Sequence, residues 1–186
     1  MTVKIITDSA SDLPHEVAQQ LGITVVSLNV RFGEEVYRNG IDLTSEEFYD
    51  KLAHGKDLPF SSVPTLGVYV EAYDKLAEET DEILVITLTS KLSATYEVAL
   101  QATDQMTRKC QVKVIDSLTA VMAQGLIAIA AAKAAQAGAS LNEVISQERR
   151  APWCCPGFPR LTAESEPYYW NERWQGLSLC QAALSS

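Results

Sequence analysis

Glu82-Ile83-Leu84-Val85-Ile86-Thr87-Leu88-Thr89-Ser90-Lys91-Leu92-Ser93-Ala94-Thr95-Tyr96 changes character halfway along, from an apolar run to hydroxyls and then a helical pattern. Its first half is short, apolar and rich in β-branched residues, which predicts a strand buried on both faces. The run then breaks into hydroxyls and resumes with the spacing of a helix. A strand, a polar loop and a helix start follow. The first turn of a helix leaves N–H groups without intrahelical acceptors, so Ser90, Ser93 and Thr95 sit where hydroxyls and amides can converge on an anion. The alternative is that Ser93 merely caps the helix.

Outward from this stretch the same alternation repeats. A strand is predicted over 3–7, a short helix over 14–21 closed by Gly22, and a second strand over 24–30. Phe32-Gly33-Glu34-Glu35-Val36-Tyr37 has the form of a hairpin, and Thr44-Ser45-Glu46-Glu47 that of a capping box opening a helix through Leu52. A loop over 59–65 leads into a helix over 66–79. Beyond the central stretch come a strand over 112–115, an alanine-rich helix over 119–137, and a second capping-box pattern at Ser140-Leu141-Asn142-Glu143. Strands separated by helices of this length predict an α/β fold, a mainly parallel sheet with helices on both faces.

In such sheets the strand-to-helix loops emerge at one edge, where ligands bind. Here those loops read Thr7-Asp8-Ser9-Ala10-Ser11-Asp12, Thr89-Ser90-Lys91-Leu92-Ser93 and Asp116-Ser117-Leu118-Thr119. The rim is rich in hydroxyls and carries Asp8 and Asp116. Asx turns and helix caps are the bland account of both aspartates.

Composition narrows the classes. The 186 residues are 47% hydrophobic and 21% charged, with a formal net charge of −9. That charge argues against binding a nucleic-acid backbone. No segment has the length of a membrane span, and the start of the chain lacks a charged-then-apolar leader, so a cytoplasmic protein is expected. No cysteine pair has zinc-ligand spacing, both histidines (His15 and His54) lie far from the cysteine-rich end, and the cysteines read as free thiols. No metal or cofactor is expected. A serine hydrolase built on Ser93 lacks a Gly-x-Ser-x-Gly elbow and a following histidine. A nucleotide-binding domain lacks both a Gly-x-Gly-x-x-Gly turn and a Gly-Lys-Ser/Thr loop.

Five segments in order, Thr7-Asp8-Ser9 with Asp12-Leu13-Pro14, Gly40-Ile41-Asp42-Leu43-Thr44, Ser61-Ser62-Val63-Pro64, Ser90-Lys91-Leu92-Ser93-Ala94-Thr95-Tyr96 and Asp116-Ser117, together resemble the DegV family of bacterial fatty-acid-binding proteins. The resemblance extends from Val3 to about Ser146. It implies a non-catalytic protein that buries a long, palmitate-like acyl chain between two α/β domains and holds its carboxylate with hydroxyls and amides of the first. It further implies presentation of the carboxylate to a fatty acid kinase. Carried over by position, the head group falls to Ser61 or its neighbour Ser62, and to Ser93 with the N–H of Ala94. Asp8, Ser9, Thr95, Asp116 and Ser117 are secondary candidates. The family commonly has threonine at the place of Ser61, glutamine at that of Val63 and glycine at that of Ala94. Alanine keeps the N–H but adds a methyl where a ligand approaches.

The resemblance stops near the end of the chain. Residues 149–186 hold all three tryptophans, three of four cysteines and four of seven prolines, with no periodicity. So abrupt a change is expected of translation in a shifted reading frame, a divergent extension being the alternative. The chain is therefore divided into a DegV-like domain over 1–148 and an irregular, poorly packed tail over 149–186. On this reading the family's second domain, with the arginine and histidine it brings to the head group, is missing, and the protein is a truncated, impaired form. Arg160 and Arg173 take no part.

Overall fold

The structure, a computed structural model, describes residues 2–150, with side chains through Ser146. Its frame is a four-stranded parallel sheet in the order β2-β1-β6-β7. The strands are β1 (Lys4–Asp8), β2 (Ile23–Val26), β6 (Glu82–Thr87) and β7 (Gln111–Asp116). The quoted stretch supplies β6 as an inner strand, with Ile83 through Thr87 all buried.

Side chains alternate between the two faces of a strand, and here the alternation sorts the core. Ile5, Leu84 and Ile86 pack under α5 (Met122–Gln136), α6 (Leu141–Arg150) and α1 (His15–Leu21). Ile6, Ile83 and Val85 pack against Tyr69, Tyr73 and Ala99 of α3 (Leu66–Leu76) and α4 (Thr95–Thr103). Both faces are covered, as expected of a parallel sheet. Tyr69 and Tyr73 are fully buried, whereas Val68, just before Tyr69, is 43% exposed. At full burial on the order of 2 kcal/mol accompanies each large apolar side chain.

Two predicted elements need correction. The strand expected over 24–30 is two strands in different sheets: β2 ends at Val26, and β3 (Asn29–Phe32) begins a small antiparallel sheet in the order β4-β3-β5. An uninterrupted apolar pattern carries no mark of a change of partner. The loop expected over 59–65 contains β5 (Pro59–Ser62), paired antiparallel to β3. Proline is compatible with that place, since it opens an edge strand and its missing N–H costs no ladder bond.

The predicted hairpin is present as β3 and β4 (Glu35–Arg38), turning at Gly33, whose φ is 56°. The predicted capping box is present in α2 (Ser45–His54): the Glu47 N–H donates to Thr44 Oγ1, and the Thr44 N–H donates to Glu47 Oε2. Phe48 packs α2 onto Val30 and Phe32 of the small sheet and onto Leu43 just before the helix. Arg149 and Arg150 fall in α6, and the rest of the expected tail lies outside the described residues.

Among the described residues no helix is long and apolar enough to cross a membrane.

Candidate functional site

The parallel frame decides where the site lies. From β1 the chain moves to β2 on one side, then crosses back to β6 on the other, so the C-terminal ends of β1 and β6 flank a topological switch point. Helices α3, α4 and α5 return antiparallel to the strands and therefore begin at this same edge. The small sheet and α2 are inserted between β2 and α3, also on this side.

At the end of β1, Asp8 is fully buried, and each carboxylate oxygen is occupied. The Ala10 N–H donates to Oδ1 at 3.0 Å, and the Leu88 N–H, just past β6, donates to Oδ2 at 2.8 Å. Burial pushes the carboxyl up to about 6, against those hydrogen bonds, which favour the charged form. The predicted Asx turn is thus real, but Asp8 also ties the two strands of the switch point together.

Ser9 looks the other way. Its Oγ accepts from the Leu28 N–H at 3.0 Å and from Asn39 Nδ2 at 3.2 Å, anchoring the parallel frame to the small sheet. Asp116 closes the far side, where its Oδ2 accepts from Ser90 Oγ at 2.6 Å and from the Ser90 N–H at 3.2 Å. Ser117 is spent on a local turn, bonding Thr119 through N–H, Oγ1 and carbonyl oxygen. Asp8, Ser9, Asp116 and Ser117 form the scaffold of the rim in this structure.

Ser93 lies in the loop between β6 and α4. Ala94 occupies the N-cap position of α4 with no side-chain cap bond, so Ser93 stands one residue earlier than a cap. Its Oγ accepts from the Thr95 N–H at 3.3 Å and lies 2.8 Å from Thr95 Oγ1, bringing the two hydroxyls together. Thr95 is fully buried and Ser93 half-buried. Among the described residues no protein acceptor takes the N–H of Ala94, Tyr96 or Glu97. The helix dipole adds partial positive charge at the same point.

Ser61 and Ser62 are exposed on β5 and make no side-chain hydrogen bond to the Ser93 loop among the described residues. Register fixes their relation to the rim. Ser62 pairs with Asn29, the residue after Leu28, whose N–H is held by Ser9. Ser61 pairs with Val30, so the two serines point to opposite faces of the small sheet.

Three exposed apolar residues share this edge with them. Val68 in the first turn of α3, Leu92 before α4 and Val121 at the start of α5 are 43%, 57% and 40% exposed, all at the switch-point edge. Val121 and Leu118 adopt φ of 51° and 55°, costly for side chains other than glycine and for β-branched valine above all. Strain thus concentrates in the loop between β7 and α5. Concavities of about 340 and 510 Å³ lie elsewhere, beside Lys51 and beside Cys110. The arrangement offers a hydroxyl- and amide-lined anion shelf with an apolar border.

Sequence reasoning missed Tyr69 and Gln124, both fully buried at the switch point. Gln124 Nε2 donates to Thr7 Oγ1 at 3.0 Å and to the Ile86 carbonyl at 3.3 Å, linking β1, β6 and α5. An amide in the first turn of an alanine-rich helix, next to the rim loops, was the available signal.

A model of the family described as uncharacterised protein, DegV family, matches residues 2–150. A DegV domain-containing protein of Clostridium perfringens is 40% identical over 147 residues, which are 77% of this chain and 52% of that protein. The crystal structure of DegV, a fatty acid binding protein from Bacillus subtilis, superposes with a TM-score of 0.77 at 31% identity, covering 81% of this chain and 53% of that one. A fatty-acid-binding DegV family protein from Thermus thermophilus gives 0.73 at 30% identity, covering 81% and 53%. The chain spans about half the length of the relatives it matches.

Proposed function

The chain belongs to the DegV family, and from that premise we propose that it binds a long-chain fatty acid, with the carboxylate at Ser93, the N–H of Ala94 and Ser61 or Ser62. The observation that carries this reading is the open first turn of α4, at the same edge as exposed Leu92, Val68 and Val121. Unpaired amides suit a carboxylate, and the apolar border suits the first methylenes of its chain. Relatives with solved structures bind fatty acids, which adds support from similarity.

Magnitudes divide the labour. Each buried methylene contributes roughly 0.8 kcal/mol, while a hydrogen bond to a charged group contributes about 1.5–3 kcal/mol. The acyl chain supplies most of the affinity, and the shelf supplies orientation. The role is binding, with presentation to a fatty acid kinase inferred from the family resemblance alone. Hydrolysis by Ser93 is disfavoured, because its hydroxyl pairs with Thr95 and not with a histidine.

Native mass spectrometry of freshly purified full chain, followed by lipid extraction, is the test. A co-purified acyl chain that is lost in the Ser93→Ala and Ser61→Ala variants is the expected result. Affinity for palmitate should fall by about 1.5–3 kcal/mol in each single variant. Unchanged affinity in both, with only stability reduced, would show that these serines are turn formers.

A further inference from the structure

Among the described residues Asp8 carries the one fully buried carboxyl group at the rim. None of the ion pairs among the described residues includes it. From α3 the titratable neighbours are Tyr69 and Tyr73, both with phenols pushed up by burial, and the charge of Asp8 raises Tyr69 further. From α5 the neighbour is the neutral amide of Gln124, and α4 presents Thr95 and Ala99, which do not titrate. The loop after β6 carries exposed Lys91, and Asp12 after the 3-10 turn is exposed. Asp116 on the far strand is engaged with Ser90 and Leu118.

The hydrogen bonding at Asp8 admits two states. Its two oxygens each accept one backbone N–H, from Ala10 and from Leu88, so a proton on either oxygen must weaken one of those bonds. The other half of the exchange is also in place. Among the described residues Gln124 Oε1 and the Tyr69 hydroxyl are buried without a hydrogen-bond partner, and a protonated carboxyl can donate to such an orphan acceptor. The charged state satisfies the backbone and leaves the orphans. The neutral state weakens the hold on a backbone amide and brings a donor to a pocket that holds unpaired acceptors.

We propose that Asp8 is a positioning residue whose ionised carboxylate holds the β6–α4 loop, with Ser93 on it, against β1, and that proton uptake loosens this tether. Leu88 is the first residue after β6, and the segment from Leu88 to Ser93 is the only covalent link from the tether to the shelf on that side. Its meaning for a lipid head group rests on the proposed function, but the tether is read without any lipid.

The experiment is an NMR titration of the full chain between about pH 4.5 and about pH 7.5, following the Asp8 carboxyl carbon and the amides of Ala10, Leu88 and Ser93. Expected is a carboxyl midpoint near 6, with Leu88 or Ala10, and Ser93, shifting at that midpoint. In Asp8→Asn those co-titrating shifts disappear. Because the wild-type titration alone decides the matter, failure of the variant to fold leaves the test intact. Amides of Ala10 and Leu88 that stay flat across the range, or an Asp8 midpoint in the ordinary carboxylate range, would overturn the proposal. Absence of lipid binding would overturn the functional reading and leave this result standing.

Discussion

Replacing each of two buried tyrosines by phenylalanine should have opposite effects. Tyr69 and Tyr73 lie one turn apart on α3, are both 0% exposed, and place their rings 5.8 Å apart. Each substitution deletes one oxygen from a packed interior, so the packing loss is similar and largely cancels between them. The hydroxyls differ. That of Tyr73 donates to the Ala99 carbonyl at 2.9 Å, whereas that of Tyr69 has no partner among the described residues. Losing the first bond should destabilise by about 1 kcal/mol, and relieving the second hydroxyl of unpaired burial should stabilise by on the order of 1 kcal/mol. The expected gap is about 2 kcal/mol, or roughly 4–8 °C in Tm for a chain of this size. Urea denaturation of the full-length variants at about pH 8, followed by far-UV circular dichroism, measures it, provided the m-values agree. Equal losses in both variants, or a larger loss in Tyr69→Phe, would refute the accounting and show that the Tyr69 hydroxyl is satisfied in solution.

Gly125→Ala should destabilise by about 1–3 kcal/mol, because a Cβ there would sit 2.6 Å from the Ser11 carbonyl oxygen, and thermal melting would show it. Asp8 should make stability pH-dependent in an unusual direction. Its folded value of about 6 exceeds the reference 3.8, so the fold binds the proton more tightly than the unfolded chain does. Its stabilisation is complete below about pH 4 and is lost as pH rises through about 6, amounting to about 2–3 kcal/mol between pH 4 and pH 7. Exposed carboxylates held low, such as Asp42 beside Arg38, work the other way, so the effect is to be read as the difference between wild type and Asp8→Asn at each pH. A difference that does not change with pH would contradict the burial argument.

Much of this protein is legible in one dimension, because the signals involved are local. The apolar run at 83–87, the capping box at Thr44 and Glu47 and the hairpin at Gly33 depend on periodicities and turn chemistry within a few residues. The collection of strand-to-helix loops at one edge follows from alternation of strand and helix alone. For the same reason the hydroxyls of the rim could be named before any coordinates.

Pairings between residues distant in the chain were fixed only by folding. The break between Val26 and Asn29 and the strand at Pro59–Ser62 depend on which partner each segment meets, and no local pattern records that choice. The roles within the rim are of the same kind: Asp8 reaches Leu88 and Ser90 reaches Asp116 across different strands, while Ser93 stays with Thr95 two residues away. Residue type shows that a carboxylate or hydroxyl is able to bind something. Whether it binds its own fold or is left open to a ligand is settled by burial and by the partners that folding brings within about 3 Å.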